Sequence, residues 1–191
     1  MAENDFKGNC ADPSELSEEI RIAGVVKESI VDGPGIRYVV FVQGCPHGCE
    51  GCHNPATHDF SGGYDVPLSK IFEDFKKNPL LSGVTFSGGE PFCKADKLLK
   101  LGRMIKSLGK SIVVYSGYTF EELLKNAEED ENIINLLKIS DILIDGRFDL
   151  KLKSLSLRFR GSSNQRVIDL KKTFENYSNG DKTVALYEFS D

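Results

Sequence analysis

Three of the chain's five cysteines lie in one short loop with the spacing Cys45-x3-Cys49-x2-Cys52. Glycines between them allow a tight backbone turn, so all three thiolates can face one soft metal centre. Zinc sites usually have two separated Cys pairs, or a Cys pair and a His pair, and the loop has neither. An iron–sulfur cluster normally has four Cys ligands, so the loop favours a cluster with one iron free to bind a small molecule. The alternative is a redox or zinc loop whose fourth ligand is one of His47, His53, His58 and Cys93.

The length and composition predict a single globular domain. The chain has 191 residues, of which 40% are hydrophobic and 28% are charged, and this is enough for one substantial core. Residues 1–19 are polar and acidic and are predicted to form a flexible N-terminal arm, while residues 20–191 form the domain.

The sequence also predicts where the protein acts. No apolar run approaches the ~20 residues of a membrane span, and the acidic start lacks the features of a signal peptide, so no membrane partner is expected. An odd number of cysteines clustered in one loop argues for the reducing cytoplasm, with Cys10 and Cys93 as plain thiols and Cys93 buried. The net charge of -5 disfavours nucleic acid as a partner.

Buried strands alternate with helices along the chain, which predicts a parallel α/β sheet with right-handed crossovers. Such folds place their sites at the carboxyl ends of the strands. Four predicted strands end in the cysteine loop, Ser87-Gly88-Gly89-Glu90-Pro91, Ser116-Gly117-Tyr118 and Asp145-Gly146-Arg147. A complete eight-stranded barrel typically needs ~250 residues, so the predicted fold class is α/β, an open, partial parallel β/α barrel in a single domain.

The cysteine spacing and several other segments are similar to the radical S-adenosylmethionine (SAM) superfamily, and within it to the glycyl-radical activating enzymes. The other segments are Val31-Asp32-Gly33-Pro34-Gly35-Ile36-Arg37, the Gly-Gly-Glu-Pro turn at 88–91, residues 115–120 and residues 158–168. Together, over about residues 22–168, they resemble the activating proteins of anaerobic ribonucleoside-triphosphate reductases.

The resemblance implies an enzyme in which Cys45, Cys49 and Cys52 bind a 4Fe-4S cluster of the radical SAM type, and the fourth iron binds SAM. Reductive cleavage of SAM then gives a 5′-deoxyadenosyl radical, which takes a hydrogen atom from one glycine of the reductase and leaves a glycyl radical. The implied partners are this anaerobic reductase and a one-electron donor such as flavodoxin.

The resemblance also implies contacts between SAM and residues outside the loop. The amino group of SAM is expected near the turn formed by Ser87, Gly88, Gly89 and Glu90. The methionine part, the ribose and the carboxylate are expected near Ser116, Asp145 and Arg147, respectively. The remaining two residues expected at the cofactor or the partner are Asn164 and Arg166.

Two further expectations concern the adenine and the polypeptide substrate. Many members of the superfamily have an aromatic residue where this chain has Gly51, so His53 is a candidate for the adenine contact. Asp32 or Arg37 is expected near the polypeptide that is activated.

Each assignment has a plainer alternative. The Asp-Gly-Pro-Gly turn can merely connect two strands, Ser116 can merely end a strand, and Asp145 can pair with Arg147. For the whole chain, one alternative is the activase of another glycyl-radical enzyme, such as pyruvate formate-lyase. The other is a zinc-binding interaction module, which explains the cysteines but not the glycine turns at successive strand ends.

Overall fold

The structure is a computed structural model that describes residues 17–189. Residues 1–16, which include Cys10 and most of the predicted acidic arm, lie outside the described residues, as do residues 190 and 191. Within the described residues, no helix is both long enough and apolar enough to cross a membrane.

Seven strands in the described part of the chain form one mixed sheet, accompanied by five helices. The strands are β1 (Glu19–Ser29), β2 (Arg37–Val42), β3 (Tyr64–Pro67), β4 (Gly83–Gly88), β5 (Ser111–Tyr115), β6 (Ile142–Asp145) and β7 (Arg166–Asp169). The helices are α1 (Leu68–Lys76), α2 (Ala95–Ser107), α3 (Phe120–Asn126), α4 (Glu131–Ile139) and α5 (Leu170–Ser178). The strand order across the sheet is β3-β1-β2-β4-β5-β6-β7.

The four central strands β2, β4, β5 and β6 are parallel, as predicted. The outer strands differ from the prediction, since β1, β3 and β7 pair antiparallel with their neighbours. Residues 30–36 join β1 to β2 without a helix, and a connection this short allows only an antiparallel pair, because parallel neighbours need a longer crossover. Near the described C-terminal end, residues 183–187 contribute one β-bridge, between Leu186 and Ile168.

The helices pack against one face of the sheet. Successive side chains of a strand point to opposite faces, so Val40 and Val42 of β2 enter the main core together with residues of all five helices. Helix α2 contributes Leu98, Leu101 and Ile105, which are buried and recur at the spacing of one helical face. This face therefore supplies most of the buried apolar surface.

The start of α3 is set by a capping box. The hydroxyl of Thr119 accepts a hydrogen bond from the N–H of Glu122 at 3.2 Å, and the Glu122 carboxylate accepts one from the N–H of Thr119 at 2.8 Å. The helix thus begins directly after residues 116–118, which keeps these residues at the carboxyl edge of the sheet.

The opposite face of the sheet carries a smaller cluster to which none of the five helices contributes. Its members come from β5, β6, β7 and the C-terminal segment at residues 187–189. They are Val113, Ile142, Ile144, Val167, Tyr115, Tyr187 and Phe189. The helices therefore cover only one face of the sheet, and none of them packs against the smaller cluster on the other face.

Candidate functional site

A cavity of about 690 Å³ lies at the carboxyl ends of β2, β4 and β5. Its lining joins three segments that are far apart in the sequence: the loop with Cys45, Cys49 and Cys52, the turn with Ser87, Gly88 and Gly89, and the residues Ser116 and Gly117. The parallel pairing explains this, because β4 lies between β2 and β5 and all three strands end at one edge. The volume is typical of a pocket for a small molecule.

The three cysteine thiols are unpaired and half-buried in the cavity wall. The base of their loop is closed by the N–H groups of Gly44 and Cys45, which donate to the carbonyls of Thr57 and His58 at 2.9 and 3.2 Å. Burial raises the pKa of the Cys45 thiol, and binding to a metal centre would stabilise its thiolate. Three such thiols fit a 4Fe-4S cluster that keeps one iron open.

The candidate fourth ligands do not all lie at the cavity. His47, His53 and His58 line it, whereas Cys93 does not, and Cys93 is exposed instead of buried as predicted. Within residues 17–189, no three Cys, His, Asp or Glu side chains converge closely enough to hold a single metal ion. Each thiolate of a cluster binds a different iron, so the three thiols do not have to converge on one point.

Glu90 forms a buried junction between the cysteine loop and the end of β5. Its side chain is 0% exposed and accepts hydrogen bonds from His47 Nε2 at 2.8 Å, the N–H of Gly117 at 2.9 Å, Ser116 Oγ at 3.0 Å and the N–H of Phe92 at 3.1 Å. A carboxylate has about four acceptor sites, and these donors occupy them. Glu90 therefore holds two walls of the cavity together, and its contact with SAM stays a prediction.

Two glycines are required where these walls approach each other. A Cβ atom at Gly89 would lie 2.2 Å from the carbonyl oxygen of Gly44, and one at Gly117 would lie 2.3 Å from the His47 ring. The family resemblance implies that SAM lies near the glycine turn. The structure adds a reason for the glycines, which is the close packing of this turn against the cysteine loop.

Asp145 and Arg166 lie behind the cavity wall. The buried Asp145 carboxylate accepts hydrogen bonds from the N–H of Phe120 at 2.7 Å and from Arg166 Nε at 3.0 Å. Arg166 also pairs with Glu121 of α3 at 2.7 Å, and the hydrogen bonds to Asp145 and Glu121 raise its pKa. Neither Asp145 nor Arg166 lines the cavity, so their contacts with SAM remain predictions.

Arg147 and Asn164 line a second, smaller cavity of about 380 Å³. The Asn164 side-chain amide donates to the carbonyl of Arg147 at 2.8 Å. The plainer alternative, a salt bridge between Asp145 and Arg147, is wrong, because the ion-pair partner of Asp145 is Arg166. Asp145 and Arg147 of this motif therefore lie in different places: Asp145 pairs with Arg166 behind the wall of the main cavity, and Arg147 lines the second cavity.

Of the two residues predicted near the activated polypeptide, only Asp32 lines the main cavity. Arg37 is 0% exposed, and its guanidinium donates to Thr85 Oγ1 at 3.1 Å and to Ser111 Oγ at 2.6 Å. Burial lowers its pKa to about 10. Because Thr85 Oγ1 donates to the Asp32 carbonyl at 2.8 Å, Arg37 supports the loop that carries Asp32 and is itself shielded from a bound polypeptide.

The structure adds Phe148 and Arg160 to the predicted residues that line the cavity. His53 lies at the cavity, and its ring centre is 4.9 Å from that of Phe148, which also lines it. Arg160 lines the cavity too, and its buried Nε has no hydrogen-bond partner among the described residues. The only sequence signal for Phe148 was its place directly after a strand-end motif.

Comparison with known proteins identifies a matching family model and similar proteins. The family model of a 4Fe-4S single cluster domain matches residues 31–168, which include the three loop cysteines and the glycine turn. The anaerobic ribonucleoside-triphosphate reductase-activating protein of Escherichia coli (strain K12) is 38% identical over 152 residues, covering 74% of this chain and 94% of the relative. The protein of that name from Enterobacteria phage T4 is 32% identical over 143 residues, covering 72% and 86%.

Among solved structures, QueE from Escherichia coli matches with a TM-score of 0.42 and 18% identity over 53% of each chain. This similarity is too low to support a conclusion about the present chain.

The fold and the cysteine-lined cavity, with the family model, define an α/β iron–sulfur protein of the single 4Fe-4S cluster class. Within that class, the chain belongs to the anaerobic ribonucleoside-triphosphate reductase-activating proteins. The family predicted from the motifs is thereby confirmed.

Proposed function

We propose that the protein activates an anaerobic ribonucleoside-triphosphate reductase by generating a glycyl radical on it. The observation that carries the proposal is the meeting of three unpaired thiols, a glycine turn and Ser116 around one cavity, in a chain of this family. When bound, the 4Fe-4S cluster supplies the electron that cleaves SAM reductively. The residues of the chain hold and orient both groups.

The proposed cluster ligands are the thiolates of Cys45, Cys49 and Cys52. The backbone oxygens of the turn at residues 87–89 are the proposed acceptors for the amino group of SAM, because this turn lines the same cavity as the three thiols. His53 and Phe148 offer ring surfaces to the adenine, since aromatic faces stack on flat apolar groups.

The fold supports an open, partial barrel of the radical SAM type. The sheet has two separate edges, β3 and β7, which do not pair with each other in the described residues. Helices cover one face, and the cavity opens beside the other. An open side of this kind leaves room for a polypeptide to approach the cavity.

The proposal extends to the electron donor and the location. A one-electron donor such as flavodoxin suits reduction of a cluster, whose potential proteins can set as low as about -700 mV. Unpaired thiols are stable in a reducing compartment, so we place the protein in the cytoplasm. Nucleic acid and membrane are not among the proposed partners.

The test begins with anaerobic reconstitution of the cluster, followed by electron paramagnetic resonance with and without SAM. We expect SAM to change the signal of the reduced cluster. Alanine at Cys45, Cys49 or Cys52 should abolish this change, because each removes one of the three iron ligands. Cys93→Ala serves as the matched control and should retain it; an unchanged signal in all three loop variants would contradict the ligand assignment.

The second part of the test concerns the polypeptide partner. The reduced protein with SAM is mixed either with an anaerobic ribonucleoside-triphosphate reductase or with pyruvate formate-lyase. We expect the resonance of a glycyl radical only in the first mixture. A radical only in the second would overturn the proposed substrate.

A further inference from the structure

Three of the most exposed apolar side chains in the described residues surround the mouth of the cavity. Ile30, Val31 and Leu155 are 75%, 70% and 94% exposed, and all three line the cavity. Exposed apolar residues that occur singly need no explanation, but a group around one opening indicates a binding surface. These side chains come from segments far apart in the sequence, since residues 30 and 31 precede β2 and residue 155 follows β6.

Two basic side chains lie beside Leu155 on the same rim. Lys153 and Arg158 both line the cavity and are exposed. No carboxylate among residues 17–189 forms a salt bridge with either of them. Arg158 lies instead 5.7 Å from the centre of the Phe189 ring. This side of the rim therefore presents positive charge that is not neutralised within the described chain.

The segment with these residues is held in place. The Tyr115 hydroxyl of β5 donates to the carbonyl of Phe159 at 2.6 Å, and the Arg160 guanidinium donates to the carbonyl of Gln165 at 2.6 Å. A preformed apolar surface loses less conformational freedom on binding than a mobile one. The rim is thus suited to dock a partner without prior rearrangement.

The size of the cavity decides what can lie inside it and what must lie on its rim. A volume of about 690 Å³ is that of a small-molecule pocket, and the proposed cluster and SAM occupy it. A polypeptide can therefore insert only a narrow segment, and the rest of it must rest on the rim.

We propose that Ile30, Val31, Leu155, Lys153 and Arg158 form a docking rim for the reductase. This inference rests on the proposed function. The rim binds an extended segment that flanks the target glycine and carries apolar side chains together with Asp or Glu. The apolar side chains cover Ile30, Val31 and Leu155, and the acidic ones pair with Lys153 and Arg158.

The experiment measures binding of the intact reductase to the full-length, cluster-loaded protein by anaerobic biolayer interferometry. Leu155→Ser and Ile30→Ser should each weaken binding about tenfold or more, as truncation of a buried interface residue does. Lys153→Glu should slow association and change its dependence on salt. The matched controls are Leu80→Ser, because Leu80 is 73% exposed but lies away from the cavity, and Lys70→Glu on α1; both should stay within about twofold of the original affinity.

Two readouts separate this inference from the proposed function. SAM cleavage without the reductase should be unchanged in every rim variant, which excludes loss of folding. If the unaltered protein forms the glycyl radical but the rim variants bind the reductase normally, the docking rim is wrong and the proposed function stands. If the unaltered protein forms no radical on the reductase, the proposed function itself fails.

Two other occupants of the rim would also overturn the inference. Removal of residues 1–16 would strengthen reductase binding at least tenfold if this acidic segment covered the rim. Light scattering would show a dimer that Leu155→Ser converts to a monomer if a second copy covered it. We expect neither result.

Discussion

Glu90 connects two walls of the cavity although it is not among the residues that line it. Its carboxylate joins His47, which lies between two of the cysteines, to Ser116 and Gly117 at the end of β5. The side chains of Glu90, His47 and Ser116 are all buried. A carboxylate held by such donors is expected to orient the cysteine loop, since hydrogen bonds to a charged group each contribute about 1.5–3 kcal/mol.

We predict that Glu90→Gln lowers both the iron bound per chain after reconstitution and the affinity for SAM, because the neutral amide places its NH₂ group against donors. His47→Gln should reproduce both effects, and the double variant should be little worse than either single one, since the two side chains act as a pair. Iron and sulfide analysis with equilibrium dialysis of SAM gives these values. Normal iron content but weak SAM binding in Glu90→Gln, with no effect of His47→Gln, would instead show that Glu90 contacts SAM directly.

At the scale of elements, Arg166 connects three of them. It lies at the start of β7, pairs with Asp145 at the end of β6 and with Glu121 in the first turn of α3. Asp145 in turn accepts the N–H of Phe120 at the start of that helix. The network therefore ties the antiparallel edge of the sheet to the layer of helices.

We predict that Arg166→Met destabilises the fold by about 2–3 kcal/mol, because it leaves the buried Asp145 carboxylate without its cation. This is below the usual range for breaking a buried pair because Arg166 is partly exposed to solvent. Urea unfolding measures the change, and adding Asp145→Asn should recover part of it by removing the unpaired charge. Unchanged stability combined with lost SAM affinity would favour the cofactor contact that the family resemblance implies.

At the scale of the whole molecule, the core and the cavity are largely separate. The main core lies between the sheet and the helices, and none of its members belongs to the cysteine loop. Small zinc domains differ, because their metal supplies the energy of folding. In this protein, the energy of folding comes from the apolar side chains that the helices bury against the sheet.

We therefore predict that the protein without its cluster still unfolds cooperatively. Chelation of the iron should lower the melting temperature by less than about 10 °C, as expected when a ligand that adds about 2–3 kcal/mol is lost from a domain of this size. Far-UV circular dichroism during heating, before and after chelation, measures this. A chain that melts without a sigmoidal transition after chelation would mean that the cluster is needed for folding.

The local parts of the fold could be predicted from local patterns. The buried face of α2, the capping box of α3 and the four parallel strands follow from periodicity and from residues a few positions apart. The direction of β3 and β7 could not, because their pairing depends on strands distant in the chain. The direction of β1 follows from its short connection to β2, which the prediction of a parallel sheet did not take into account. The prediction that Cys93 is buried failed for the same reason as the direction of β3 and β7, since the exposure of its side chain depends on which elements pack around it.

The sequence by itself determined the chemistry of this protein: three thiols in one loop, glycine turns at successive strand ends, and motifs specific enough to identify the family. The tertiary structure decided which residues face the cavity. Ser87, Ser116, His53 and Asp32 reach it, whereas Asp145, Arg147 and Arg166 do not, and Glu90 meets His47 across 43 positions of sequence. The reason is physical: residue type specifies what a side chain can bind, but only the pairing of strands and the packing of their two faces specify what it meets.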